Sequence, residues 1–198
     1  AVIRQLTAAG HDVFNLDKKT YAANPAAIDG CAVQNVHACI TDRAAVSALF
    51  KAARPDAVIH LAAETHVDRS IDGPSAFMTT NVDGTFSLLE AALGWWKDAD
   101  KPSDFRFVHV STDEVYGELE TLDTPSFSVG DPYKPNSPYS ASKAASDHFV
   151  RAFNQTHGLP TMISHCSNNY GIICFFFYIC KCYCFRIFTI IIFHRYKL

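Results

Sequence analysis

No disulfide framework can be drawn among the seven cysteines of this chain. Cys31, Cys39 and Cys166 are scattered, while Cys174, Cys180, Cys182 and Cys184 crowd toward the C-terminus. An odd count without framework spacing excludes a disulfide scaffold and points to a reducing compartment, the cytoplasm. The C-x-C-x-C run is not the usual spacing of zinc ligands, and no metal is expected. Positive charge is not in excess either. Residues 1–171 hold 13 Lys/Arg and all 20 Asp/Glu, a net of −7, which argues against nonspecific nucleic-acid binding. The opening AVIRQLTAAG reads as a helix already under way, with no secretory leader. What is present is apolar: 48% of 198 residues are hydrophobic, which excludes disorder and allows one domain with a core.

The last 27 residues lack Gly, Ala, Pro, Asp and Glu altogether, and consist largely of Ile, Phe, Cys and Tyr. Residues 172–193 are long enough to cross a bilayer, but Lys181 and Arg186 would each cost roughly 3 kcal/mol at its centre. A membrane span is therefore disfavoured. Phe, Ile, Tyr, Lys and Cys share AT-rich codons, so the tail reads as non-coding sequence translated past a frameshift or a misplaced boundary.

Along residues 1–171, helical and apolar-strand patterns alternate. A helix over 1–9 leads to a strand over 12–16 that ends at Asp17, and a short strand is predicted near 36–40. A helix follows over 41–53, with Thr41 placed to cap it and Val46, Leu49, Phe50 and Ala53 on one face. Strands over 56–63, 105–110 and 160–166 alternate with helices over 75–97 and 139–157. The first of these helices carries Phe77, Leu88, Leu89 and Trp96; the second carries Ala145, His148, Phe149, Ala152 and Phe153. This alternation predicts an α/β, Rossmann-like doubly wound parallel sheet, truncated at both ends, with ligands beyond the carboxyl ends of the strands.

Two features fall at such ends. The strand over 105–110 runs into Ser111, Thr112, Asp113 and Glu114, which places adjacent carboxylates where this fold class does chemistry. Further on, Tyr139 and Lys143 stand four apart and stack on one helix face, where an ammonium favours a phenolate base. The bland readings are a solvated acidic loop and a surface pair. Asp17 is either a turn residue or the acid that bonds adenosine ribose hydroxyls. The glycine-rich phosphate loop that should precede the opening helix is missing, so the N-terminus reads as truncated.

In this order NLDKKTYAAN, PDAVIHLAAETHVDRSIDGP, TTNVDGT, HVSTDEVYGE, SPYSASKAASDH and CSNNYG resemble the extended short-chain dehydrogenase/reductase family, in its nucleotide-sugar 4,6-dehydratase branch. The resemblance covers residues 1–171 and makes them a partial NAD-binding domain with catalytic residues; 172–198 fall outside it. Epimerases of that superfamily usually carry small hydroxyl residues where this chain has Asp113–Glu114.

The resemblance implies NAD as cofactor and a nucleotide diphosphate-glucose as substrate, dTDP-glucose first and UDP-glucose as the alternative. It implies a three-step reaction. Tyr139, with Lys143 and Thr112, would take the C4 hydroxyl proton as hydride passes to NAD. Glu114 would remove the C5 proton, Asp113 would protonate the departing C6 hydroxyl, and the hydride would return to C6. Asp17, Lys18 and Thr20 would contact the adenosine half of NAD, with Ile40 beside the adenine. Leu61, Ala62, Ala63 and Thr80 would line the cofactor, and Asn169 the nicotinamide side. Thr65, Thr112 and Asn168 would meet the sugar nucleotide. Cys39 replaces an Asp that usually bonds adenine. His66, Asp68 and Arg69 are left out of catalysis. A homodimer is implied. An open sheet edge beside a missing first strand predicts that this chain alone aggregates and is inactive. The competing readings are a sugar epimerase, a non-catalytic fragment, and a membrane-anchored interaction protein.

Overall fold

The computed structural model describes residues 1–20, 23–119 and 126–167, together with the backbone of Ile190–His194. Six strands, β1 (Asp12–Asp17), β2 (Val33–His37), β3 (Ala57–His60), β4 (Arg106–Thr112), β5 (Thr161–Cys166) and β6 (Ile190–His194), form one sheet in the order β2-β1-β6-β3-β4-β5. The β1–β2, β3–β4 and β4–β5 pairs are parallel. β6 is not: it runs antiparallel between β1 and β3, with Ile190 level with Leu16 on one side and His60 on the other. The expected α/β Rossmann-like class holds, with two corrections. The sheet is mixed, and the facing edges of β1 and β3 are paired. Backbone donors and acceptors inside a sheet need partners, and an Ile-rich segment suits a strand flanked on both sides.

Alternating residues of β1 and β3 feed two apolar clusters. Leu16 and Val58 join Val46, Phe50, Leu88, Leu89, Phe107, Val150 and Phe153, contributed partly by helices α2 (Arg43–Ala53), α5 (Gly84–Asp98) and α6 (Pro138–His157). Val13 and Ile59, of opposite parity, meet Ile3, Val2 and Leu6 of helix α1 (Val2–Ala8). Opposite parity means opposite faces, so the sheet is covered on both sides. Each fully buried Phe or Leu contributes roughly 1.5–3 kcal/mol. In α2 the predicted face, Val46, Leu49, Phe50 and Ala53, is buried. The cap is Asp42, whose Oδ1 accepts from the Ala45 amide at 3.0 Å; Thr41 instead donates to Cys39 Sγ at 3.1 Å. β2 lies nearer the N-terminus than expected, because pairing with β1 places Val33 opposite Val13 and leaves 38–41 as a loop.

The predicted helix over 75–97 is interrupted. Short helices α3 (Val67–Asp72) and α4 (Pro74–Phe77) precede a π-helical turn, Met78–Asp83, which leads into α5. Gly84 starts α5 pressed against Ile40, whose Cγ1 would lie 2.6 Å from any added Cβ. Helix α6 has strong local signals. Ser137 and Ser140 form a capping box, each side chain accepting from the other's amide at 3.0 Å, with Pro138 in the first turn. Gly158 ends it in the left-handed conformation. Its buried face differs from the one expected. Ala145 is half-buried, His148, Phe149 and Ala152 are exposed, and the inward positions are Tyr139, Ser142, Lys143, Ser146, Asp147, Val150 and Phe153. Polar residues can face inward there because Lys143, Ser146 and Asp147 find partners at β4, and Ser142 finds one in Asn81.

Candidate active site

The parallel strands β1, β3 and β4 bring their carboxyl ends to one edge of the sheet. β4 extends past its apolar run through Ser111 and Thr112, and a 3-10 turn, Asp113–Tyr116, follows at once. Thr112 caps that turn. Its Oγ1 accepts from the Glu114 amide at 3.3 Å and donates to Asp113 Oδ1 at 3.4 Å. The turn closes at Gly117 (φ +103°), where an added Cβ would sit 2.8 Å from the Lys134 carbonyl oxygen. The two carboxylates are thus held at a strand end by local backbone. Burial first, and the neighbouring Asp113 charge second, raise the Glu114 pKa above its ordinary value. A carboxylate raised in this way is a stronger base once ionised.

Tyr139 lies in the first turn of α6 and is buried, as is Lys143 one turn on. The Lys143 ammonium donates to the Val110 carbonyl at 2.8 Å, which anchors α6 to β4 three residues before Asp113. Burial lowers the Lys143 pKa to about 8, against a smaller raising effect of Asp147 and then Cys166.

The β3 end is tied to α6 by a residue that the motif reading passed over. Asn81, in the π-helical turn, accepts from the Glu64 amide at 2.8 Å. Its amide nitrogen donates to the Glu64 carbonyl at 2.9 Å and to Ser142 Oγ at 2.8 Å. The wider π turn inserts this amide between the loop over 61–65 and α6, a use that such turns often have at functional sites. His109 and Asp147 were also missed. Asp147 Oδ2 accepts from Ser111 Oγ at 2.8 Å and Tyr133 Oη at 3.1 Å, and lies 3.2 Å from His165 Nε2. Its Oδ1 lies 3.2 Å from His109 Nε2. A four-residue spacing repeated once more along α6, from Tyr139 to Lys143 to Asp147, was the available signal.

Of the predicted cofactor residues, Asp17 ends β1 and accepts from the Lys19 amide at 2.7 Å, and Lys18 reaches Glu64 at 3.5 Å. This ion pair joins the end of β1 to the loop after β3. Ala62, Ala63 and Thr80 are buried and Leu61 is half-buried. The Ile40 side chain is committed to packing against Gly84. Thr20 Oγ1 and Thr65 Oγ1 are buried without a hydrogen-bond partner among the described residues. Orphaned hydroxyls at the ends of β1 and β3, beside small alanines, fit a dinucleotide that would supply their partners. Asn168 and Asn169 lie outside the described residues. Two surface hollows, near Trp95 and near Leu93, lie among α2, α5 and α6, away from these strand ends. The strand-end geometry marks the site; those hollows do not.

Among the described residues no group of His, Cys, Asp and Glu is arranged to hold a metal ion, and no helix is long and apolar enough to cross a membrane.

Comparison with known proteins gives consistent matches. The family described as GDP-mannose 4,6 dehydratase matches residues 1–176. dTDP-glucose 4,6-dehydratase 1 of Escherichia coli is 50% identical over 185 residues, covering 86% of this chain and 51% of that protein. The structure of DesIV, a dTDP-glucose 4,6-dehydratase of Streptomyces venezuelae with NAD and TYD bound, superposes with a TM-score of 0.75 at 43% identity, over 86% of this chain and 52% of that one. A UDP-glucose 4-epimerase of Thermus thermophilus, in complex with NAD, gives 0.73 at 27% identity, over 83% and 50%. The chain spans about half the length of the curated relatives it matches.

Proposed function

We propose that this chain, which belongs to the GDP-mannose 4,6-dehydratase family, carries the catalytic residues of an NAD-dependent dTDP-glucose 4,6-dehydratase. The observation that carries the reading is the Asp113–Glu114 pair, set by a 3-10 turn at the end of β4, on the strand that Lys143 anchors through Val110. Elimination across adjacent carbons needs one base and one acid, and an epimerase has no use for the second carboxylate. The identity to dTDP-glucose 4,6-dehydratases supports dTDP over UDP as the nucleotide.

Asp17, Lys18, Thr20, Ile40, Leu61, Ala62, Ala63, Thr80 and Asn169 would hold NAD, whose chemistry is to accept a hydride from C4 of the sugar and return it at C6. Tyr139, its phenol acidified by the Lys143 ammonium, takes the C4 hydroxyl proton, with Thr112 holding that hydroxyl. The resulting C4 ketone acidifies the C5 proton, which Glu114 removes. Asp113 gives its proton to the C6 hydroxyl, which leaves as water. Like charges side by side push the two carboxyl pKa values apart, and in the free chain Glu114 is the one raised, so the choice of Glu114 as base and Asp113 as acid rests on the family resemblance. Thr65 and Asn168 would bind the sugar nucleotide. Residues 1–171 form the cofactor-binding and catalytic part in this reading, and Ile190–His194 adds a strand to its sheet. A cytoplasmic setting is supported by the absence of disulfide spacing, and a homodimer by the resemblance alone.

A chimera tests this directly. Residues 12–167 replace the matching segment of the Escherichia coli relative, and the product from dTDP-glucose is analysed. The expected product is the 4-keto-6-deoxy sugar, with loss of one water. Inversion at C4 without loss of water would make the chain an epimerase.

A further inference from the structure

We propose that Asp147 is a positioning residue for this reaction, the third member of a buried column Tyr139–Lys143–Asp147 that holds Lys143 as an ammonium beside the phenol. The inference rests on the dehydratase reading for its consequence, though not for its geometry. The three residues are spaced four apart on α6, so they stack on one face. Tyr139 is 7% exposed, Lys143 3% and Asp147 2%. A buried ammonium and a buried carboxylate are each costly alone. Among the described residues Lys143 donates to one oxygen, the neutral Val110 carbonyl, and its other near contact is His109 Nε2 at 3.5 Å. The counter-charge must come from elsewhere.

The groups facing this column are few. β3 offers His60 and β4 offers His109 and Ser111. β5 offers His165 and Cys166, and the loop before α6 offers Tyr133. His60 Nε2 lies 2.8 Å from Thr85 Oγ1, which itself donates to the Asn81 carbonyl, so His60 is the donor of that pair. Burial, then the neighbouring charges, keeps both His60 and His109 well below the ordinary imidazole range, and both are neutral. Neutral imidazoles supply no negative charge. Asp147 does. Burial works against its ionisation, but the contact from His109, followed by the Ser111 hydrogen bond, outweighs this and leaves its pKa lowered. Donors from β4, β5 and the loop before α6 therefore converge on Oδ2 of one carboxylate, which stands one helical turn below Lys143. A surface i, i+4 ion pair would need none of them.

The role is to set the charge of Lys143. Without the Asp147 carboxylate, Lys143 would give up its proton at lower pH, and Tyr139 would lose the positive charge that makes its phenol acidic.

The test is a titration of the full 198-residue chain labelled with ε-carbon-13 lysine, without nucleotide or sugar. The Lys143 signal is assigned by its loss in Lys143→Arg. Its midpoint is expected at about 8. Asp147→Asn should lower it by about 1–3 pH units, a roughly 10- to 1,000-fold weaker hold on the proton. Asp147→Glu should restore most of that shift, which a purely structural role for the side chain would not require. Coupling is mutual, so Lys143→Met should raise the Asp147 carboxyl midpoint by a similar factor. That arm stands even if Asp147→Asn fails to fold. An unchanged midpoint in either arm overturns the column and leaves the dehydratase reading intact. A chimera that releases no water overturns that reading and leaves the column intact.

Discussion

The two sides of the candidate site treat their hydroxyls in opposite ways. Where β4 and β5 meet α6, Ser111 and Tyr133 donate to Asp147, His109 and His165 crowd against it, and Lys143 is bound to Val110. At the ends of β1 and β3, Thr20 and Thr65 keep buried hydroxyls that no described residue satisfies. In the proposed reading the first side is the acid–base apparatus. The second keeps its polar atoms in reserve, as a cradle must, and is held across its mouth by the Lys18–Glu64 pair. The difference separates proton transfer, which needs rigid distances, from cofactor capture, which needs vacant partners.

The largest effect should come from breaking the assembled side at its base. In the chimera, Tyr139→Phe should reduce turnover about 100- to 10,000-fold, the usual worth of a general base, with no oxidation of the sugar in a single turnover. Residual activity near the parent level would show that the phenol is not the base.

Acid should dismantle the same side next. His109 titrates at about 4 in the folded chain against 6.5 when free, because of burial and then the Lys143 charge. The unfolded chain therefore binds more protons between those values, so stability falls as pH drops from 6.5 toward 4, by about 3 kcal/mol from His109 alone. His60, also lowered well below its ordinary value by burial, adds to the loss in the same direction. Denaturant midpoints across this range measure it; a flat profile would mean that these imidazoles are not held neutral.

Smaller changes distinguish the two sides one hydrogen bond at a time. Ser111→Ala removes a donor from a buried carboxylate and should cost about 1.5–3 kcal/mol in denaturant unfolding. Gly84→Ala forces Ile40 aside and should cost about 1–3 kcal/mol in the same assay. Thr20→Val breaks no hydrogen bond among the described residues. Its stability should stay within about 0.5 kcal/mol of the parent or rise, while NAD affinity of the chimera falls roughly tenfold, the size of one hydrogen bond. A loss like that of Ser111→Ala would place a hidden partner on Thr20 and erase the contrast.

Much of this contrast was legible in the residues. The apolar run into Ser111–Glu114 and the Tyr139–Lys143 spacing gave the strand end and the helix that carry these residues, because strand period and helix period are local signals. The inward face of α6 was misread for the same reason. Phe149 and Ala152 look like core by hydropathy, and Ser142, Ser146 and Asp147 look like a solvated face, until tertiary partners satisfy them. Asn81 stood inside the motif TTNVDGT, but its bridging role depends on a π turn that apolar periodicity does not encode. β6 was not read as a strand of this sheet, since its partners, β1 and β3, lie more than a hundred residues away.

The central claim is that the two carboxylates after β4 divide elimination between them, with Glu114 as the C5 base. Asp113→Asn should slow departure of the C6 hydroxyl and be partly rescued by a better leaving group there. The more direct measurement is a single turnover of the Glu114→Gln chimera in deuterated water, followed in the reduced-nicotinamide absorbance band, with deuterium at C5 measured afterward. The expected result is reduction of bound NAD that persists, with no deuterium at C5, because oxidation at C4 precedes proton removal at C5. Loss of reduction and elimination together, or normal turnover with deuterium at C5, would contradict the assignment.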